Sequence, residues 1–181
     1  MADNGLWVFG YGSLMWEPGF EVSESQIARL GDYHRSFCMW SIHHRGTPEH
    51  PGLVLALDAR TGAYCDGVAL FVRPEKTDQT LAYLRERELV SSAYLEVFCR
   101  LSLRDGREVE AVTYIVDPDH VQYCGTLSLD RQAEVISDAV GGRGPNTEYL
   151  SNTAAQLHKL GIHDPELDLL VEKVDRLKGQ N

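Results

Sequence analysis

Apolar and other residues alternate along residues 95–103. One set consists of Leu95, Val97, Cys99, Leu101 and Leu103, and it alternates with Glu96, Phe98, Arg100 and Ser102. A period of two predicts a strand with one apolar face. The pair Asp105-Gly106 comes next and is typical of a tight hairpin turn, after which residues 108–116 are rich in β-forming side chains. These segments together predict a β-hairpin.

Four further short apolar runs, each bounded by Gly, Pro or Asp, lie at residues 6–9, 36–40, 53–57 and 67–72. They raise the predicted number of strands to about six. The chain reads mostly as strands up to about residue 116 and as helices from about residue 130. Strands followed by helices favour the α+β class, with the strands forming a sheet or barrel.

Three helices are predicted in the C-terminal part. Asp164-Pro165 supplies an N-cap and a first-turn proline, and apolar residues then recur at helical spacing at Leu167, Leu170, Val171, Val174 and Leu177. Asn146 or Thr147 is suited to cap a second helix that ends near residues 160–161. A third is predicted at residues 130–140, ending at Gly141-Gly142.

A fourth helix is predicted between strands, at residues 77–89. Leu81, Leu84 and Glu88 lie at i, i+3 and i+7, so the Glu88 carboxylate shares the apolar face of this helix. Burial of a carboxylate is costly and raises its pKa, which makes Glu88 a candidate for acid/base chemistry. The alternative is a half-exposed Glu88 that pairs with a neighbouring arginine near the helix end.

Length, composition and charge bound the class of protein. The chain has 181 residues, 43% hydrophobic and 24% charged, which predicts a single globular domain over residues 1–181 with a helical part from about 130. No apolar run approaches the roughly 18 residues of a membrane span, and the N-terminus lacks a signal-peptide pattern, so we expect a cytoplasmic protein. A formal net charge of −10 disfavours nucleic acid and an anionic membrane as partners.

The cysteine and histidine residues indicate no metal site. Cys38, Cys65, Cys99 and Cys124 are widely separated and form no CxxC pair, which disfavours disulfides and a thiolate zinc site. His34, His43, His44 and His50 match no closed tetrahedral spacing. We therefore expect no metal.

The first apolar run continues into a glycine-rich segment, Gly10-Tyr11-Gly12-Ser13. Two glycines around one aromatic residue let the backbone turn sharply and bring its N–H groups close to an anion or a carbonyl oxygen. The alternative is an ordinary turn at the end of a strand. A dinucleotide-binding loop is excluded because Met15 stands where the third glycine belongs. A serine-hydrolase elbow, G-x-S-x-G, is also absent.

Four motifs, in order and in register, resemble those of the ChaC family. They are Val8-Phe9-Gly10-Tyr11-Gly12-Ser13-Leu14-Met15-Trp16, then His44-Arg45-Gly46-Thr47-Pro48 with Pro51-Gly52, then Arg87-Glu88, then Asn146-Thr147-Glu148-Tyr149-Leu150. The resemblance extends from residue 8 to about residue 160. The form Arg87-Glu88-Leu89-x4-Tyr94 resembles the bacterial-type branch of that family.

The resemblance implies a γ-glutamylcyclotransferase-like fold, a compact mixed β-barrel flanked by helices. It also implies cleavage of glutathione to 5-oxoproline and Cys-Gly without a cofactor, with Glu88 as the catalytic residue. The implied substrate-binding residues are Gly10, Tyr11, Gly12, Ser13, Leu14, Arg45 and Tyr149. Two alternatives stay open, a cyclotransferase for other γ-glutamyl amino acids or amines, and a non-catalytic regulatory or binding protein. We expect a monomer or a homodimer.

Overall fold

A computed structural model describes residues 5–89 and 91–179 of the chain. Five strands form a closed barrel in the order β1-β3-β2-β4-β5. They are β1 (Leu6–Gly10), β2 (Glu24–Ser41), β3 (Gly52–Val72), β4 (Tyr94–Leu103) and β5 (Glu108–Val116). β1 pairs parallel with β5 and antiparallel with β3, so the barrel is mixed. The described residues contain four α-helices, α1 (Thr77–Glu88), α2 (Leu129–Asp138), α3 (Asn146–Lys159) and α4 (Pro165–Gly179). The predicted α+β class and mixed barrel with helices are confirmed.

The predicted hairpin is present as β4 and β5, which pair antiparallel along their length. Its turn contains Gly106 at a φ of +94°, a left-handed conformation that glycine adopts without steric cost. The apolar face is buried only at one end of β4, where Leu101 and Leu103 lie in the core. Leu95, at the other end, is 44% exposed, so the period-2 pattern predicted the strand correctly but overestimated the burial of its first residue.

Two of the other strands are much longer than predicted. The separate runs at 53–57 and 67–72 belong to the single strand β3, and the run at 36–40 is only the end of β2. The two runs were predicted as separate strands because Gly and Asp residues bound them. β2 and β3 are neighbours in the barrel, and there the Asp32 carboxylate accepts a hydrogen bond from the Gly62 N–H at 2.9 Å. Pairing between the two strands therefore lets β3 continue through the Gly and Asp residues at which the predicted runs ended.

The contacts along the chain separate into two compact units, and the single-domain organisation stays a prediction. The first unit contains the residues up to Arg35 together with Leu57–His120. One cluster of its core consists of aliphatic side chains, one aromatic ring and one thiol from the barrel strands, namely Phe9, Ala28, Leu30, Leu57, Cys65, Ala69, Leu101, Leu103 and Ala111. Burial of this apolar surface is the main stabilising contribution to the unit.

The second unit contains Ser36–Ala56 and the residues from Val121 onward. Here α2 packs against both α3 and α4, and the buried side chains of α4 are Leu167, Leu170 and Val174, as their helical spacing predicts. Helix α2 begins one residue earlier than predicted because the Ser128 side chain caps it, accepting a hydrogen bond from the Arg131 N–H at 3.2 Å. None of the helices in the described residues is both long and apolar enough to cross a membrane.

The predicted end of α2 and the predicted cap of α3 are wrong in detail. Val140–Gly141 is not helical but pairs with Gly144–Pro145 as a short two-stranded sheet. Pro145 occupies the N-cap position of α3, and Asn146 makes no cap. The completely buried Asn146 amide instead accepts from the Leu53 N–H and donates to the Leu53 carbonyl, both at 2.8 Å.

Replacing Asn146 with alanine is expected to lower the free energy of unfolding by about 2–4 kcal/mol, because two buried backbone groups of Leu53 lose their partner. Urea unfolding measures the change. Asn152→Ala, at an exposed position of the same helix, is the matched control and should lie within about 0.5 kcal/mol of the unsubstituted protein. Equal stabilities of the two variants would contradict this account of Asn146.

Candidate active site

Strand β1 ends at Gly10, and the chain then turns into one turn of 3₁₀-helix at Ser13–Met15. The Gly12 carbonyl accepts a hydrogen bond from the Met15 N–H at 2.9 Å, which closes the turn. The Leu14 and Met15 side chains are buried beneath it, whereas Ser13 is exposed. The loop of residues 10–14 is therefore anchored by apolar burial and carries its polar groups at the surface of the first unit.

Strand β3 passes unusually close to this loop at Gly67. A methyl group at Gly67 would overlap the Gly10 carbonyl oxygen and come within 2.8 Å of the Phe9 ring. Since the obstacle is backbone, it cannot swing away as a flexible side chain could. Glycine at position 67 therefore lets the strand support the back of the loop.

Arg87 joins the loop to the end of α1. Its Nη2 donates to the Ser13 Oγ at 2.9 Å, and its Nη1 donates to the Glu17 and Pro18 carbonyls at 2.9 and 3.2 Å. Its Nε lies 3.3 Å from Oε1 of Glu88. A planar guanidinium holds several acceptors in a fixed geometry, so Arg87 fixes the position of the loop relative to the neighbouring carboxylate.

Glu88 is the last residue of α1, and its side chain is 19% exposed. Leu84, one turn earlier on the same face, is completely buried, as the helical spacing predicts. Burial raises the pKa of the Glu88 carboxyl above its ordinary value, while the positive charge of Arg87 lowers it in part. The net rise moves Glu88 towards the range in which a carboxyl exchanges protons near neutral pH.

Other titratable groups in this unit are less suited to proton transfer. Burial and a hydrogen bond to Glu96 raise the pKa of Tyr114, and burial raises the pKa of Cys99 to about 11, so both stay protonated at neutral pH. Hydrogen bonds from Arg85 hold the pKa of Glu96 below its ordinary value. Both Glu96 oxygens accept hydrogen bonds, at 2.9 to 3.0 Å. These environments leave Glu88 as the best-placed proton acceptor and donor among these groups.

The raised pKa of Glu88 predicts a pH dependence of stability. A carboxyl whose pKa is higher in the folded than in the unfolded state stabilises the protein below the unfolded value, and this contribution is lost as the pH rises through the folded value. We therefore expect Glu88→Gln to gain stability relative to the unsubstituted protein as the pH rises above the ordinary value of 4.5. Urea unfolding at several pH values measures this difference, with Glu86→Gln as the charge-matched control. A difference that stays constant with pH would contradict the prediction.

Arg45 and Tyr149 belong to the second unit and lie close to each other. The Arg45 guanidinium is 5.6 Å from the centre of the Tyr149 ring and donates to the Pro145 carbonyl at 3.1 Å. The Tyr149 hydroxyl accepts a hydrogen bond from the Leu55 N–H at 3.2 Å, and its ring packs edge-on against Phe37. Arg45 therefore braces the start of α3, and the substrate-binding role of both residues stays a prediction.

The sequence patterns missed Arg35 as a residue of the site. It is only 7% exposed and donates from Nε to the Tyr11 carbonyl at 2.7 Å. The sequence did contain one indication. Arg35 precedes Phe37 and Met39 by two and four residues, so it lies on the same face of β2 as these apolar side chains. A charged residue on the apolar, inward face of a strand indicates that its charge has a specific buried partner. Within the described residues, no group of three or more His, Cys, Asp and Glu side chains could hold a metal ion.

A mixed barrel of this kind, with a Gly-Tyr-Gly-Ser turn after its first strand, is similar to a known fold. The crystal structure of the yeast γ-glutamyl cyclotransferase specific to glutathione superposes with a TM-score of 0.83 at 24% identity, covering 96% of this chain and 99% of that one. At that identity the likeness establishes the fold class, a γ-glutamylcyclotransferase-like barrel.

Sequence comparisons extend the likeness beyond the fold. The model of the ChaC-like protein family matches residues 6–177. The glutathione-specific γ-glutamylcyclotransferase of Escherichia coli K12 is 39% identical over 176 residues, covering 97% of this chain and 75% of that protein. The γ-glutamylcyclotransferase 2-1 of Arabidopsis thaliana is 41% identical over 152 residues, covering 80% of this chain and 70% of that protein. The chain belongs to the ChaC-like family, and the resemblance found in its motifs is confirmed.

Proposed function

We propose that this protein is a glutathione-specific γ-glutamylcyclotransferase that releases 5-oxoproline and Cys-Gly, with Glu88 as its catalytic residue. The observation that carries the proposal is the position of Glu88. Its largely buried carboxylate has a raised pKa and is joined through Arg87 to the Ser13 side chain of the glycine-rich loop. Relatives in Escherichia coli and in several eukaryotes that carry the same enzyme name support the choice of substrate.

Glutathione contains its own nucleophile. The α-amine of the γ-glutamyl residue attacks the γ-carbonyl carbon, and a five-membered ring closes as the bond to the cysteinyl nitrogen breaks. No water is consumed and no covalent enzyme intermediate is required, since holding the chain in a bent conformation already makes the attack intramolecular. The protein therefore has to bind one conformation, move protons and stabilise charge.

Glu88 moves the protons in this proposal. The α-nitrogen loses two protons in all, since the ammonium group has three and the lactam nitrogen of 5-oxoproline has one. The Glu88 carboxylate accepts the first, which frees the amine lone pair, and returns it to the departing cysteinyl nitrogen. The second leaves the ring nitrogen after the attack and is taken up by the released amine of Cys-Gly, which becomes an ammonium group. A raised pKa suits both directions, because the group must bind the proton and then release it. The catalyst is therefore regenerated within one turnover.

Residues 10–14 form the substrate-binding loop in the proposal. Backbone N–H groups of this loop hold the α-carboxylate or the oxygen of the γ-carbonyl as it gains negative charge. The Leu14 side chain is buried, so this residue contributes through its backbone. Arg45 and Tyr149 are proposed as further substrate-binding residues. A cytoplasmic location and a monomeric or homodimeric state are part of the same proposal.

Incubation of the purified protein with glutathione, with no added metal or nucleotide, tests the function directly. We expect equal amounts of 5-oxoproline and Cys-Gly, measured by liquid chromatography and mass spectrometry. γ-Glutamyl-alanine under the same conditions should release 5-oxoproline far more slowly. Equal rates on both compounds would contradict the specificity for glutathione, and no product from either would contradict the enzymatic function.

A further inference from the structure

The carbonyl group of Tyr11, within the proposed substrate-binding loop, accepts a hydrogen bond from a buried arginine, Arg35. Arg35 is 7% exposed, and its Nε donates to the Tyr11 carbonyl at 2.7 Å. Its Nη2 donates to the Asp66 carbonyl at 2.5 Å, which ties the same guanidinium to strand β3. Burying a guanidinium is costly unless several of its donors are satisfied, so these contacts hold the Arg35 side chain in one position.

The orientation of the Tyr11 carbonyl determines the orientation of the next N–H group. The carbonyl of Tyr11 and the N–H of Gly12 belong to one peptide plane, and in a trans peptide these two groups point in opposite directions. No peptide bond in the described residues is cis. Because Arg35 holds the carbonyl on one side, the Gly12 N–H is directed to the other.

The chain at Gly12 borders open space. A Cβ atom built on Gly12 would have no heavy atom of the described residues within 4 Å, apart from the glycine itself and its chain neighbours. Gly10, two residues earlier, is confined, because a Cβ atom there would lie 3.0 Å from that of Leu14. Of the two glycines in the loop, Gly12 is therefore the one that leaves room for a ligand to approach the backbone.

We propose that Arg35 is a positioning residue that aims the Gly12 N–H at a negatively charged oxygen of the γ-glutamyl substrate. The inference rests on the proposed function. The oxygen belongs either to the α-carboxylate or to the γ-carbonyl as it gains charge during ring closure. A donor fixed before the substrate arrives needs no reorganisation during the reaction, and loss of one such donor typically lowers the rate by about 10²–10³-fold.

Two variants and a matched control test the role of Arg35. Arg35→Lys keeps the charge but loses the planar guanidinium, and Arg35→Gln removes the charge. Arg29→Gln is the control, because Arg29 lies on the same strand and also bonds Asp66, through the carboxylate at 2.7 and 2.9 Å. Circular dichroism and thermal melting establish that each variant is folded.

We expect a fall of at least about 10-fold in kcat/KM for glutathione in Arg35→Lys and a larger fall in Arg35→Gln, with Arg29→Gln within about 2-fold of the unsubstituted protein. A lower kcat at unchanged KM assigns the contact to the γ-carbonyl oxygen, and a higher KM at unchanged kcat assigns it to the α-carboxylate. Either result supports the proposal. A folded Arg35→Lys with unchanged kcat/KM overturns it.

A second measurement needs no substitution of Arg35. In Glu88→Gln, saturation with glutathione should move the Gly12 amide proton to lower field in a ¹⁵N–¹H spectrum, because its N–H gains a hydrogen bond to an oxygen of the bound substrate. An unshifted Gly12 signal at saturation overturns the role of this N–H. Failure of the underlying function is distinguishable, because the unsubstituted protein would then release no 5-oxoproline.

Discussion

Replacing Glu88 with glutamine is expected to lower the rate of 5-oxoproline release by about 10²–10⁴-fold, the usual contribution of a positioned general acid or base. Glutamine has nearly the same shape, so the end of α1 and its packing should persist. It cannot accept the proton of the α-ammonium group, which leaves the substrate amine without a free lone pair. The measurement is a discontinuous assay of 5-oxoproline at saturating glutathione.

The matched control is Glu86→Gln, an exposed position of the same helix that lies on a different face. It removes one negative charge near the site without touching the buried carboxylate. We expect its rate to stay within about 2-fold of the unsubstituted protein. Glu88→Gln that is folded by circular dichroism and as active as Glu86→Gln would contradict the catalytic role of Glu88.

Local sequence patterns correctly predicted the strands and helices whose partners in the fold lie close to them in sequence. The β4–β5 hairpin was predicted because its turn and both strands occupy one continuous segment, so alternation and an Asp-Gly pair contain the necessary information. The extent of β2 and β3 was not predicted. Their length depends on pairing between strands about 30 residues apart, as between Asp32 and Gly62, and no local pattern reports such pairing.

The residues of the candidate site also fall into those that a local pattern predicts and those whose partners are remote in sequence. Glu88 was found from helical spacing, since a carboxylate that follows Leu84 by four residues has to share its buried face. The partners of Arg35, Gly67 and Asn146 are remote in sequence, and their roles depend on distances that only the folded chain defines. The family resemblance implied roles for both the loop and Glu88, and the contacts of Arg87 with Ser13 and Glu88 show how the two are held next to each other.

Arg87 has a mechanical and an electrostatic role, and two substitutions separate them. Arg87→Gln loses the bonds to Ser13, Glu17 and Pro18 and also the positive charge beside Glu88. We expect kcat/KM to fall by about 10–100-fold, because misplacement of a loop by about 1 Å costs up to that much. Arg87→Lys keeps the charge but not the planar arrangement of donors, so it should retain only the electrostatic role.

The pH profile of kcat/KM for glutathione distinguishes the two roles of Arg87. Its positive charge lowers the pKa of Glu88, so removal in Arg87→Gln raises that pKa further, and less of the carboxylate is ionised at a given pH. The acidic limb of the profile should therefore move to higher pH in Arg87→Gln and stay in place in Arg87→Lys, although both lose activity. Arg131→Gln, an exposed helical arginine paired with Glu134, serves as the control with an unchanged profile. An acidic limb that is the same in Arg87→Gln and in the control would show that Arg87 acts on the loop alone, and that the charge next to Glu88 does not set its protonation.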